Sequence, residues 1–168
     1  MLLKKLSPLF YEDNQTLIQA LDFDMLLGQW MQGTVPGMPA KVRGHGIVQI
    51  SLGGLTFAIP VHSNIKHRAC LILHRIKNPA NPQSKGMGLD YAKAMLIRDQ
   101  AHISNVVFGL KPRAAFQQLK DKEAEILEQF TAYVDKYIHA KNTNDKNILN
   151  SNEYRHTTLV NYHAELGL

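Results

Sequence analysis

The spacing of apolar positions changes period along this chain, and the change separates a strand-rich part from a helical one. HGIVQISL (residues 45–52), GLTFAIPV (54–61) and ACLILHRI (69–76) are short runs rich in β-branched and aromatic side chains, and they predict three strands. Gly53-Gly54, between the first two, is a hairpin signal. AMLIRD (94–99) predicts a fourth strand, and LLKKLSPLFY near the start of the chain another. DNQTLIQALDF (13–23) predicts a short helix capped by Asp13 or Asn14. Residues 28–40 and 77–88 are punctuated by glycine and proline and are expected to be loops.

From Pro112 to about His139 the period lengthens to that of a helix. Phe116, Leu119, Ile126, Leu127, Phe130, Tyr133, Val134, Tyr137 and Ile138 recur at steps of three and four, with DKEAE on the opposite face. Pro112 falls near the first turn, where a missing N–H costs little. The apolar stripe of this long helix is expected to pack on the sheet. The polar, asparagine-rich tail is expected to hold a helical turn or two around LVNYHAEL (159–166).

Composition narrows what such a chain can be. With 168 residues and 45% hydrophobic content, it is expected to form one domain over residues 1–168, of the α+β class with an antiparallel sheet. Cys70 is the single cysteine and cannot form an internal disulfide, which suits a reducing, cytoplasmic setting. No stretch has the length of a signal-peptide core or a membrane span.

Charge changes the picture more. No aspartate or glutamate occurs between Asp24 and Asp90, an interval that holds Lys41, Arg43, Lys66, Arg68, Arg75, Lys77 and Lys85 together with His45, His62, His67 and His74. The rest of the chain carries 12 basic and 14 acidic side chains, so the net charge of +5 is concentrated in this one segment. A solvated surface ordinarily mixes both signs. A segment of one sign points to a polyanion, because lysine and arginine that neutralise phosphates gain affinity through counterion release. A bias within a half-buried sheet is the alternative.

Cutting an RNA phosphodiester without a metal needs a base for the 2′-hydroxyl proton, an acid for the leaving 5′ oxygen, and donors for the charge on the phosphorane oxygens. PVHSNIKHR supplies those groups at a strand end: His62, Ser63 and Lys66 beyond Pro60, with Lys41, Arg43 and His45 leading into the preceding strand. The shortage of carboxylates argues against a two-metal nuclease. A zinc set of His67, Cys70 and His74 is the weaker reading, because on a strand Cys70 and His74 share a face that His67 does not. GMGLDYAKAML (86–96) offers a turn entering a strand, with Tyr91 on the core edge, or an RNA contact. In the second reading Tyr91 stacks on a base, Lys93 meets a phosphate, and Asp90 fixes the geometry or accepts from a base edge.

The order RGHGIV, a glycine hairpin, FAIPVHSNIKH, a variable loop and GLDYAKAMLI resembles the toxins of type III toxin–antitoxin systems, most closely the TenpN group and more distantly ToxN and AbiQ. The resemblance covers residues 41–100 well and the remainder in general layout. It implies a fold like the Kid and MazF toxins, a compact SH3-like barrel with added helices. It also implies a metal-independent endoribonuclease without cofactor, inhibited by a small structured antitoxin RNA from tandem repeats in a closed protein–RNA assembly, and acting on cellular or phage RNA. The ToxN branch has proline, an apolar residue, threonine, serine and a nearby lysine after its second barrel strand. Pro60, Val61, His62, Ser63 and Lys66 follow that order, with histidine for threonine and the lysine one residue farther on. The resemblance thus implies Ser63 and Lys66 as phosphate and transition-state contacts. It also implies a functional basic side chain among Lys41, Arg43 and His45. The expected catalytic set is His62, Ser63, Lys66, Arg43 and His45. RNA contacts are expected from Lys41, His67, Arg68, Asp90, Tyr91, Lys93, Arg75 and Lys77.

Overall fold

Pro8 ends the first strand early. β1 covers only Lys4–Leu6, Ser7 is the N-cap, and Pro8 opens helix α1, Pro8–Asp13, where its missing N–H leaves no intrahelical bond unmade. The helix expected over residues 13–23 does not form. Asn14 instead closes α1, donating from Nδ2 to Phe10 O at 2.8 Å, and Gln19 and Asp22 take positive φ values of 65° and 61°, which a helix cannot contain. A two-residue ladder of β2, Phe23–Asp24, and β3, Gln29–Trp30, follows, so residues 29 and 30 of the predicted loop are strand, and residues 32–40 lie outside the described residues. The computed structural model describes residues 2–31, 46–75, 79–109, 117, 119 and 121–168.

The predicted hairpin is present. β4, Ile47–Leu52, pairs with β5, Leu55–His62, across Gly53 and Gly54, whose φ values of +57° and +82° are those of a two-residue reversal. β6, Cys70–His74, matches the third predicted strand, and β8, Met95–Ile97, the fourth. Two strands were not expected: β7, Met87–Asp90, and β9, Ile103–Val107. Every pairing is antiparallel, in the order β6-β7-β5-β4-β1-β9, with β8 lying along the same edge of β5 as β7. Among the described residues the outer strands β6 and β9 do not meet, so the sheet is open rather than a closed barrel.

β7 and β8 act as one strand alongside β5, interrupted by a 3-10 turn at Tyr91–Lys93. Val61 pairs with Leu89 before the turn and Ala58 with Met95 after it, so the register slips by the three residues of the turn. This interruption explains a proline in a central strand. Val61 N–H points to Gly46 O on the β4 side, so the donor absent at Pro60 falls on the opposite side, beside the break.

Helix α2, Glu123–Asn142, carries the long apolar stripe, with Ile126, Phe130, Tyr133, Val134 and Tyr137 buried. Asp121, at φ +66°, interrupts the predicted helix just before α2 begins; Gln117 ahead of the break is also helical, while Pro112 and Phe116 lie outside the described residues. Leu127, assigned to the stripe, is exposed instead. Phe130 meets Phe57 of β5 edge-on at 5.2 Å between centroids, which docks the helix on the sheet. A short helix, α3, Lys146–Leu149, and a 3-10 turn at Thr158–Asn161 complete the tail. Among the described residues no helix is long and apolar enough to cross a membrane.

Candidate functional site

His62 ends β5, and directly opposite it in β7 stands Gly88. No other residue fits there: a Cβ on Gly88 would lie 2.1 Å from the backbone oxygen of Leu71 in β6. With no side chain across the ladder, the His62 ring is free to reach its diagonal neighbour two residues along, Asp90. Nδ1 of His62 lies 2.8 Å from Asp90 Oδ2. The second histidine of the motif arrives from the loop after β5, placing His67 Nε2 3.1 Å from Asp90 Oδ1. Ala92 N–H donates to that same oxygen at 3.1 Å and caps the 3-10 turn.

Asp90 is fully buried, at 0% exposure, while the His62 and His67 side chains are 29% and 14% exposed. Burial alone would raise the pKa of this carboxyl. The hydrogen bonds and charge of His62 and His67 outweigh burial and hold it below the usual aspartate value. The carboxylate therefore accepts from three donors, and it fixes both imidazole tautomers: His62 carries its proton on Nδ1, His67 on Nε2. For His62 this leaves Nε2 as the nitrogen not used by Asp90, on the partly exposed side chain. An imidazole oriented through Nδ1 by a buried carboxylate is the arrangement of a general acid–base.

The loop that follows is fixed from beneath. Ile65 is fully buried, its N–H donates to Gly86 O at 3.2 Å, and its carbonyl accepts from Lys85 N–H at 2.8 Å. Ser63, Lys66 and Arg68 on either side are exposed. Arg68 N–H donates to Glu153 Oε1 at 3.4 Å, which attaches the loop to the C-terminal tail. The result is an oriented imidazole followed within six residues by an exposed hydroxyl, ammonium and guanidinium, all carried on one anchored loop.

The remaining expected contacts fare differently. Tyr91 is 2% exposed and donates its hydroxyl to Gln129 Oε1 at 2.8 Å, so it offers no face on which a base could stack. Burial pushes its phenol well above the ordinary value. Lys93 is turned inward: Nζ donates to Gln19 O and His156 O, both at 2.8 Å, tying the N-terminal turns to the tail instead of meeting a phosphate. Asp90 fixes geometry, but its full burial removes it as an acceptor for a base edge. Arg75 is exposed just beyond β6. Lys41, Arg43, His45 and Lys77 lie outside the described residues.

The zinc reading finds no ligand set. Cys70 faces Asp90 across the ladder and donates from Sγ to His67 O at 3.5 Å, and among the described residues no group of histidine, cysteine and carboxylate side chains is arranged to hold a metal ion. Three supporting residues escaped sequence reasoning. Gly88 could have been found as a glycine inside an apolar run, the mark of a close backbone approach. Gln129 and Glu153 had no signal, since each is one polar residue among many on a helix face and in a polar tail. No family model, curated protein or solved structure matches this chain.

Proposed function

We propose that this protein is a metal-independent endoribonuclease, the toxin of a type III toxin–antitoxin system. The observation that carries the reading is the buried Asp90 carboxylate holding His62 by Nδ1 at the end of β5, next to the exposed Ser63, Lys66 and Arg68. His62 Nε2 exchanges a proton with the RNA, as base toward the 2′-hydroxyl or as acid toward the 5′ oxygen. The 2′ oxygen attacks phosphorus, the bond to the 5′ oxygen breaks, and the products are a 2′,3′-cyclic phosphate and a 5′-hydroxyl. Ser63, Lys66 and Arg68 meet the phosphate, where donors to a developing oxyanion are most effective. Arg43 or His45 supplies the second proton-transfer or phosphate group.

The wider reading follows the resemblance: a Kid/MazF-like curved sheet, here open-edged, working in the cytoplasm on cellular or phage RNA. A structured, repeat-derived antitoxin RNA holds it in a closed assembly. Incubation with mixed RNA in excess EDTA tests the reading. Cutting should persist, leave cyclic-phosphate ends and vanish in His62→Ala. Cleavage that stops in EDTA and returns with magnesium would refute it. A protein that binds RNA through the same basic face without cutting it, equally in wild type and His62→Ala, would be a regulator instead.

A further inference from the structure

Asp90 does not serve one histidine but two, and the second is in no position to touch a phosphate: His67 spends Nε2 on Asp90 Oδ1, and its Nδ1 is buried without a hydrogen-bond partner. We propose that His67 is a positioning residue that sets the orientation and proton affinity of His62 through the shared carboxylate. This inference rests on the ribonuclease reading for its kinetic consequences only.

The argument is one of shared acceptor capacity. Each proton donated to Oδ1 draws electron density from the carboxylate and weakens its hold on the His62 Nδ1 proton at Oδ2. Two donors converge on Oδ1, Ala92 N–H and His67 Nε2–H, against one on Oδ2. Together they also stop the carboxylate from rotating. Without His67, Asp90 becomes the stronger base, the His62 imidazolium is better stabilised, and His62 protonates at higher pH. Loss of a direct phosphate contact would instead leave the titration of His62 in the free protein unchanged.

The other groups around the pair come from every neighbouring element. Lys93 belongs to the 3-10 turn, Cys70 to β6, Tyr133 to α2 and Glu153 to the tail. Burial raises the Cys70 thiol to about 11 and lifts the Tyr133 phenol further, so neither ionises near neutrality. Burial would raise the Glu153 carboxyl, but backbone N–H donors, its own and that of Arg68, hold it below the ordinary value, with a smaller contribution from His67, so both carboxylates stay ionised near neutrality.

The test compares wild type, His67→Ala, His67→Gln and His67→Asn. Proton and nitrogen NMR of the His62 ring is recorded in the free protein across pH, alongside kcat and KM for RNA cleavage. In His67→Ala the His62 midpoint should move upward by about half a pH unit or more, with the acid limb of the rate profile. Turnover should fall by roughly ten- to a hundredfold with little change in KM. Glutamine, whose amide nitrogen can occupy the place of Nε2, should restore both; asparagine, which is too short, should not. If the alanine variant fails to fold, the glutamine and asparagine pair carries the same comparison. A raised KM with the His62 titration unmoved would overturn the inference, as would no change at all. A shifted titration in a protein that cuts no RNA would uphold the coupling and refute the ribonuclease reading alone.

Discussion

Replacing Asp90 by asparagine keeps the shape of the side chain and removes its ability to accept from both histidines. The amide oxygen can still take Ala92 N–H and His67 Nε2–H, but the amide nitrogen then faces His62 Nδ1, donor against donor. Two charge-assisted bonds become neutral, at roughly 1 kcal/mol each, and the conflict at a fully buried atom costs about 1–3 kcal/mol more. The expected loss is about 3–5 kcal/mol of unfolding free energy, the scale for breaking a buried ionic contact. That cost is what drives the His62 proton toward Nε2, which sets the loss toward the lower end of the range. The resulting tautomer cannot act as a base there, so cleavage should fall by a factor on the order of 10³ to 10⁴. Urea denaturation and RNA cleavage measure the two effects. The acid side gives a further check. Because Asp90 is held below the ordinary value of 3.8, its stabilisation is complete above that pH and is lost as pH falls through the lower folded value. Wild type should therefore lose stability faster than Asp90→Asn below about pH 4. A variant within about 0.5 kcal/mol of wild type at neutral pH, with cleavage intact, would refute the reasoning.

Other substitutions separate frame from surface. Gly88→Ala should prevent folding or cost more than about 3 kcal/mol, because the 2.1 Å contact is with backbone; a wild-type denaturation midpoint would count against it. Lys93→Ala should destabilise by about 1–3 kcal/mol by releasing two carbonyls, while the salt dependence of RNA binding stays unchanged. Lys66→Ala should weaken RNA binding and lower the salt slope by about one counterion, whereas Lys136→Ala, exposed on α2, should do neither. Equal effects at both lysines in filter-binding titrations would move the interface away from the β5 loop.

The parts of the fold visible in the sequence were those where one local pattern sufficed. The β4–β5 hairpin needed only alternating apolar residues and two glycines, and the core face of α2 only its helical repeat. β9 was missed because Ser104 and Asn105 interrupt a short apolar run, and what makes it a strand is pairing with β1 about a hundred residues earlier in the chain. β7 was missed because glycines that look like a turn are there to let three backbones approach. At the candidate site, the loop carrying His62, Ser63 and Lys66 was visible as a motif, and so was Asp90 as the acid that closes a long acid-free interval. Its burial was not, since it depends on a histidine 28 residues away. Tyr91 and Lys93 misled for a related reason: a motif reveals which side chains are present but not which way a 3-10 turn will face them.

The C-terminal tail carries a consequence for when the site matures. His62, His67 and Asp90 are all synthesised by residue 90, yet the turn that presents them is held by later arrivals. Glu153 takes Arg68 N–H, His156 O takes Lys93, and the Thr158 hydroxyl donates to Ala92 O and Ala94 O. In order of synthesis, the reactive groups precede their own scaffold by more than sixty residues. A growing chain thus carries every described element of the chemistry while lacking the rigidity that gives it a defined geometry. The geometry around Asp90 is therefore completed only when residues 153–158 have joined the turn.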